Sequence, residues 1–265
     1  MKTRHVGMML VGLLLAAPAS AESWRATGFA EDDRNIVTGA LIDAFRFHAE
    51  AAATWYLNQL EGNLVSQKTF SQFSHAMVSA TYGAFEYTYT KDGVRNTRIY
   101  YAMSGRDDPP TGLPSGHTPM ANFIAQDSTR IHAYIGANDQ SAIRWTEIET
   151  DAIPDQHRRD AELKAVRTIE RDIRSGVVTR GGRLQAFVSQ PMCDSCEHVM
   201  HEFERIYGAD IQVNYLEGNL SPAYRRFRRL INGFMNTVLV LVQRPSRSNH
   251  PTPPSGGACG SIFVQ

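Results

Sequence analysis

The chain has few cysteines and no excess of either charge. It carries three cysteines in 265 residues, too few for the disulfide framework of a small secreted domain. Lysine and arginine together number 27, and so do aspartate and glutamate, so the chain as a whole has no general attraction to nucleic acid. Any basic surface for such a partner must therefore be local.

Long apolar segments are scarce as well. The one conspicuous run covers residues 6–17 and is shorter than the roughly 20 residues that a membrane-spanning helix needs. Two basic residues precede this run and the sequence ASA follows it, which is the pattern of a signal peptide. We therefore expect residues 1–21 to be a signal peptide, the product to be periplasmic or secreted, and no stable membrane insertion.

The segment that follows predicts helices and then a hairpin. Apolar residues recur at spacings of three and four over residues 31–61, and a weaker pattern of this kind covers 66–85. The stretch YTYTKDGVRNTRIYYAMSG alternates on either side of Asp92-Gly93, which favours a strand or a hairpin. We assign residues 22–93 to a helical N-terminal region.

Helices and strands alternate in the second half of the chain. Three segments have helical periodicity, and three short apolar runs predict buried strands. The helical segments are residues 160–176, 193–208 and 221–234, and the apolar runs are 182–190, 209–216 and 236–244. Such alternation favours parallel strands with helices packed on the sheet.

These patterns predict an α/β fold with a mixed sheet of about five strands and helices on both faces. The α/β domain is expected to cover residues 94–244. Residues 245–265 are rich in proline, glycine and serine and are expected to form a flexible tail, which contains Cys259.

Cys193 and Cys196 have Cys-x-x-Cys spacing at the point where a predicted strand gives way to a helix. A helix N-terminus stabilises thiolates, and thiolates are good metal ligands. The pair could form a disulfide, a redox couple, part of a structural zinc site or part of a catalytic one. A catalytic zinc site needs a third protein ligand and keeps one position open for water.

The start of the preceding predicted helix supplies candidates for the remaining roles. Asp160 could be the third ligand, which would leave Glu162 beside the open position to transfer protons. His157 competes with Asp160 for the ligand role. Aspartate at a helix start is also a common N-cap, and a first-turn glutamate suits the helix dipole, so each residue keeps a structural interpretation.

Taken together, these stretches resemble a known superfamily. DAELKAV followed by GRLQAFVSQPMCDSCEHVMHEFERIYGADIQV is similar to the zinc-dependent cytidine-deaminase-like proteins, whose signature is H-x-E followed by P-C-x-x-C. The resemblance is closest to bacterial toxin-type deaminases that have aspartate in place of the first histidine. TRIYYAMSG is similar to the strand and loop that open their domain. The chain departs from the signature by having P-M-C in place of P-C.

The resemblance implies a hydrolytic deaminase that uses Zn²⁺ and acts on a nucleobase, specifically cytosine in nucleic acid. It implies zinc ligation by Asp160, Cys193 and Cys196, with Glu162 as the catalytic acid and base. Combined with the expected export, it implies a toxin or effector that acts on another cell. A cognate immunity protein is then a candidate partner, beside a nucleic acid or nucleotide substrate.

Candidate substrate-binding residues lie on two segments after the predicted hairpin and on the last predicted helix. Four arginines interleaved with two aromatic residues in AYRRFRRLI predict a surface for phosphates and stacked bases, although a solvated helix face can have the same composition. The candidates are Ser104, Gly105, His117, Arg225, Arg226 and Arg228.

Two other functions stay open at this point. A periplasmic thiol–disulfide oxidoreductase using Cys193 and Cys196 would lose activity in Cys193→Ser and keep most of it in Glu162→Gln. A zinc-stabilised binding protein without catalytic activity would bind the metal without turning over any base.

Overall fold

A computed structural model describes residues 24–30, 36–61, 66–105, 129–135, 139–148 and 155–243, and every structural statement below concerns these residues. Six strands and five α-helices occur in this part of the chain. In chain order they are β1 (Arg25–Phe29), α1 (Ile36–Glu61), α2 (Gln67–Ser79), β2 (Tyr82–Lys91), β3 (Val94–Met103), β4 (Arg130–His132), α3 (Ala161–Arg174), β5 (Arg183–Val188), α4 (Asp194–Tyr207), β6 (Asp210–Leu216) and α5 (Pro222–Gln243).

The strands form one mixed sheet in the order β1-β6-β5-β2-β3-β4. β6 pairs in parallel with both β1 and β5, whereas β2 is antiparallel to β5 and to β3. The short strand β4 pairs in parallel with the end of β3. The predicted α/β fold with a mixed sheet is confirmed, with six strands instead of about five.

The predicted hairpin is also confirmed, and it places the N-terminal segment inside the sheet. Asp92 and Gly93 connect β2 to β3 with φ angles of 52° and 76°, the positive values that a two-residue hairpin turn favours. The second helix ends at Ser79, so its predicted extension to residue 85 is wrong. The predicted boundary at residue 93 falls within the turn of this hairpin. The described part of residues 22–93 contains the strands β1 and β2 in addition to α1 and α2, and both strands belong to the sheet.

Helices cover both faces of the sheet, as predicted. Residues of α1, α2 and α5 share one apolar core with one face, for example Leu41, Phe70 and Phe227. Residues of α3 and α4 share the second core with the other face, for example Val166 and Phe203. Successive side chains of a strand point to opposite faces of the sheet, so the same central strands contribute residues to both cores.

The predicted buried strand over residues 236–244 is wrong, because α5 continues to Gln243. The run VLVLV favours a strand by local propensity. However, Phe227, Ile231, Met235 and Val238 are buried at spacings of four, four and three, which is a helical stripe. Packing of this stripe against the first core overrides the local preference.

Helix α3 is buried on all sides over its first ten residues, Ala161 to Glu170. The predicted apolar stripe, including Leu163 and Ile169, is confirmed. The opposite side lies under the segment 139–143, to which Arg167, Glu170 and Arg174 are hydrogen-bonded. Arg167 donates to the carbonyl oxygen of Ile143 over 2.7 and 3.0 Å, and to Asp139 over 3.0 Å.

Glu170 is the residue through which this covering segment is most strongly attached to α3. Its carboxylate accepts hydrogen bonds from Ser141 Oγ, from the Ala142 N–H (2.9 Å) and from the Tyr207 hydroxyl (2.7 Å). Glu170→Ala is expected to lower the free energy of unfolding by about 2–3 kcal/mol, because it leaves the buried Ser141 hydroxyl and the partly buried donors of Ala142 and Tyr207 without their acceptor. Urea unfolding measures this loss. The exposed pair of Glu202 and Arg205 supplies the control, since Glu202→Ala should cost less than about 1 kcal/mol. Equal losses would contradict this assignment.

Several sequence predictions fall outside the described residues. They are the signal peptide 1–21, the tail 245–265 with Cys259, and the candidate substrate residue His117. Among the helices that the structure describes, none is both long enough and apolar enough to span a membrane.

Candidate metal centre

The cysteines and the acidic candidates meet where the N-termini of α3 and α4 approach each other. β5 ends at Val188, and five residues later Cys193 forms the N-cap of α4. A 3₁₀ turn over Gln156–Arg159 leads into α3, for which Asp160 is the N-cap residue. Asp160 makes no side-chain capping hydrogen bond, so its carboxylate is not occupied by the role that explains most aspartates at this position.

The donor atoms of these residues are close to one another. Asp160 Oδ2 lies 3.4 Å from Cys196 Sγ and 3.8 Å from Cys193 Sγ. His157 Nδ1 lies 2.7 Å from the same Oδ2 and 3.6 Å from Cys193 Sγ. The two sulfur atoms are 3.1 Å apart, and both thiols are free. Donor atoms of His157, Asp160 and Cys193 lie within 4.8 Å of one another, and this group could hold a metal ion.

The spacing of the donors can be compared with that around a tetrahedral zinc ion. Typical zinc–ligand bond lengths put a sulfur about 3.6 Å from an oxygen or nitrogen ligand, two sulfurs about 3.8 Å apart, and nitrogen and oxygen about 3.4 Å apart. The measured sulfur–oxygen and sulfur–nitrogen distances of 3.4, 3.6 and 3.8 Å agree with these values. The sulfur–sulfur distance of 3.1 Å and the nitrogen–oxygen distance of 2.7 Å are shorter, because these atoms contact each other directly.

The two thiols have different acidities. A hydrogen bond from the Cys196 thiol and another from the Cys196 backbone N–H lower the pKa of Cys193 to about 7. Its contact with Cys193 and its burial raise the pKa of Cys196 well above the ordinary value. Cys193 is therefore the more acidic of the two sulfurs, as expected for the residue that caps the helix.

Glu162 lies in the first turn of α3, beside this group. Its side chain is buried, with 4% exposed. Burial raises its pKa to about 7, with smaller contributions from the neighbouring Asp160 and Cys193. A hydrogen bond between the Glu162 carboxyl group and the Cys196 side chain acts in the opposite direction. A buried carboxyl group without a cationic partner is unusual in a purely structural role.

A small cavity of about 160 Å³ opens beside these residues. Besides the residues of the centre, its walls include Ala161, Pro191 and three polar residues that lie next to strand ends, Thr81, Ser104 and Gln190. Ser104 is held in place because its hydroxyl oxygen accepts from the Thr81 N–H over 2.8 Å. Lys164 fixes the same segment by donating to the carbonyl oxygens of Met103 and Gly105, each over 2.7 Å.

Comparison with known proteins leaves this geometry without an assigned family. No protein-family model, curated protein or solved structure matches the chain. The similarity to cytidine-deaminase-like proteins rests on the sequence motifs, and it stays a hypothesis.

The predicted site residues are brought together only in part. Glu162, Asp160, Cys193, Cys196 and Ser104 all line the cavity. Gly105 follows Ser104 but is not among the lining residues, and its N–H donates to the carbonyl oxygen of Arg159 over 3.0 Å.

The predicted arginines lie outside the metal-site cavity. Arg225 and Arg228 line a separate groove on α5, and Arg226 does not line it. The substrate-binding role of all three arginines stays a prediction.

Sequence analysis missed Thr81, Gln190 and Lys164. Gln190 directly precedes the Pro191-Met192-Cys193 segment, so its position next to the cysteines was the available signal. Thr81 and Lys164 carry no local signal, because their contribution depends on how β2, β3 and α3 pack.

Proposed function

We propose that the protein is a zinc-dependent hydrolytic deaminase that acts on a nucleobase. The observation that carries this proposal is the convergence of Asp160, Cys193 and Cys196 with the buried Glu162 around one small cavity. A disulfide or a redox pair needs only the two sulfurs and gives no reason for the two carboxylates. The same four residues form the motifs that are similar to those of the deaminases, which supports the proposal.

The set of donors suits zinc. Two thiolates with a carboxylate or imidazole are ligands that zinc accepts in tetrahedral geometry, whereas magnesium and calcium prefer oxygen ligands. We assign ligation to Asp160, Cys193 and Cys196. His157 then holds Asp160 through the 2.7 Å hydrogen bond, as partners of metal ligands commonly do. Zinc bound here would supply an activated water for attack on the ring carbon that carries the amino group.

Glu162 is the residue that we propose moves the protons. Deamination needs a group that delivers a proton to the ring nitrogen and later to the departing ammonia. A carboxyl group that faces the cavity, is shielded from bulk water and lies two residues from a ligand is suited to that role. Ser104, Thr81 and Gln190 supply hydrogen-bonding groups for the polar edge of a base.

Deamination of a base is tested by measuring ammonia release and the loss of the exocyclic amino group by mass spectrometry. The full chain, loaded with zinc, should convert one of a panel of bases offered as nucleosides, nucleotides and single-stranded oligonucleotides. Removal of the metal with a chelator should stop the reaction, and added zinc should restore it, because the attacking water depends on the metal. Zinc-loaded protein that converts no member of the panel would contradict the proposal.

A thiol–disulfide oxidoreductase is the second candidate. It is favoured by one observation, the lowered pKa of Cys193 at a helix N-terminus. Reduction of a test disulfide by the metal-free protein, at a rate comparable with that of known thiol oxidoreductases, would support it over the deaminase.

We also propose that the chain is exported, on the basis of the signal-peptide pattern in residues 1–21. An exported base deaminase has its substrate in another cell, so we propose a toxin or effector role with an immunity protein as inhibitor. Co-production with genes encoded next to it would test for such a partner. A chain that is not exported and does not harm a recipient cell would contradict the effector role.

A further inference from the structure

The α5 groove is a second cavity, and it adjoins the metal-site cavity. Its volume is about 580 Å³, and it is lined by Asn219, Pro222, Tyr224, Arg225, Arg228, Arg229 and Asn232. The Tyr224 hydroxyl accepts a hydrogen bond from Gln190 Nε2 over 3.4 Å, and Gln190 is a wall of the metal-site cavity. One pair of side chains therefore separates the two cavities.

The arginines of the α5 groove have no acidic partner in the part of the chain that the structure describes. Among the described residues, no carboxylate forms an ion pair with Arg225, Arg228 or Arg229, and none of the residues lining the groove is acidic. Arginines elsewhere have such partners, since Arg167 pairs with Asp139 and Arg205 with Glu202. Three unneutralised guanidinium groups in one concave surface are suited to binding anions.

The spacing of these arginines fits more than one anionic group. Positions 225, 228 and 229 are related by three and four residues, so the side chains lie on one face of the helix and are spread over about one turn, or roughly 5 Å. The Arg228 guanidinium also lies 5.9 Å from the centre of the Tyr224 ring, and Tyr224 itself is buried in the first core with 8% of the residue exposed. A positively charged groove that follows the backbone is one component of sites for single-stranded nucleic acid.

The size of the metal-site cavity indicates where the rest of a substrate must lie. Its volume of about 160 Å³ is below the roughly 300–1,000 Å³ of pockets that enclose a whole small molecule. A single base is the kind of group that fits, and its sugar and phosphates would remain outside. The adjoining α5 groove is larger and positively charged, so it can take the phosphates.

We propose that the α5 groove binds successive backbone phosphates of a single-stranded nucleic acid whose base occupies the metal-site cavity. This inference rests on the proposed function and specifies the substrate as a polymer strand. The Tyr224–Gln190 contact is the point at which the strand turns its base toward the metal centre. Arg225, Arg228 and Arg229 hold the phosphates on one side of the flipped nucleotide.

The test measures binding of fluorescent single-stranded DNA and RNA oligonucleotides to the full, zinc-loaded chain as salt is raised from 50 to 200 mM. Glu162→Gln serves as the background so that nothing is turned over during the measurement. Adding Arg225→Gln and Arg228→Gln is expected to weaken binding more than tenfold at 50 mM salt. It should also make the slope of log affinity against log salt shallower by about 1.4, since each lost phosphate contact removes about 0.7.

The matched control is the pair Arg183→Gln and Arg205→Gln, which removes the same charge from β5 and α4. Binding by this variant should stay within about threefold of the background. Equal weakening by the two pairs would overturn the inference, because it would show an effect of net charge alone. A free nucleoside triphosphate that binds as tightly as the oligonucleotides would also overturn it.

Failure of this inference can be told apart from failure of the proposed function. Conversion of free nucleosides together with no arginine-dependent binding of oligonucleotides would leave the deaminase standing and remove the strand site. Arginine-dependent binding without any base conversion by the parent chain would support the strand site and contradict the deaminase. It would leave a nucleic-acid groove beside a metal centre that is not a deaminase.

Discussion

Asp160→Ala is expected to remove most of the zinc from the purified, reduced protein. The parent chain should hold about one zinc, and the variant less than about a tenth of that, because two thiolates alone do not complete a mononuclear site. Cys193→Ser and Cys196→Ser should lose the metal to a similar extent. Metal analysis by mass spectrometry after gel filtration measures the content, and titration against a chromogenic chelator measures the affinity.

His157→Ala separates the two possible roles of this histidine in the same experiment. If His157 only holds Asp160 through its 2.7 Å hydrogen bond, its removal should weaken zinc binding about 10- to 100-fold and leave the stoichiometry unchanged at saturating metal. If it is a ligand, the variant should lose zinc as Asp160→Ala does. A site closed by four protein ligands would then favour the zinc-stabilised binding protein over the enzyme.

Asp210→Ala is the control for this series. Asp210 is a partly exposed aspartate on β6 whose single ion pair among the described residues is with Arg183, over 3.8 Å. Its removal should leave the zinc content of the parent unchanged. Retention of zinc in Asp160→Ala would contradict the proposed ligand set, since the thiols would then be binding metal without the carboxylate that lies 3.4 and 3.8 Å from them.

Those parts of the fold that local chemistry determines could be predicted from the sequence. Asp92-Gly93 determines a hairpin because these residues tolerate positive φ, and the structure has φ values of 52° and 76° there. The series β5, α4 and β6 follows from two short apolar runs around a helical pattern that Gly208 ends in the left-handed conformation.

The parts that depend on distant partners could not be predicted. β1 has the sequence RATGF, which shows no strand periodicity, and it becomes a strand because β6 offers an edge for parallel pairing. The end of α5 has the composition of a strand and is helical because Met235 and Val238 fit the first core. Both outcomes are decided by tertiary packing.

In the candidate site, too, some features could be predicted from the sequence and others depend on distant partners. Asp160 and the cysteines could be connected from the sequence because each was expected at a helix start, and helices that follow one another on the same face of a sheet bring their N-termini to the same edge. The hydrogen bond between His157 and Asp160 depends on the 3₁₀ turn before α3, which no periodicity indicates. The contact between Gln190 and Tyr224 depends on α5 packing against the end of β5.

Glu162→Gln is expected to reduce kcat for base deamination by about 10²- to 10⁴-fold while the zinc content stays that of the parent. The amide keeps the size and hydrogen-bonding shape of the carboxyl group but cannot accept and return a proton, and positioned proton transfer contributes about 10²–10⁴ to a rate. Steady-state kinetics on the substrate found by the base panel, with zinc measured on the same samples, provides the two values that are needed.

Glu197→Gln is the matched control. Both glutamates lie in the first turn of a helix, but Glu197 on α4 is exposed whereas Glu162 on α3 is buried. It should keep the activity of the parent. If Glu162→Gln kept its activity as well, proton transfer would have to use another group, and the deaminase mechanism would be wrong even with zinc present. If both variants bound zinc and only Glu162→Gln lost turnover, the thiol–disulfide alternative would be excluded. That chemistry exchanges disulfide bonds at the sulfurs of Cys193 and Cys196 and releases no ammonia from a base, so it cannot account for the turnover that Glu162→Gln removes.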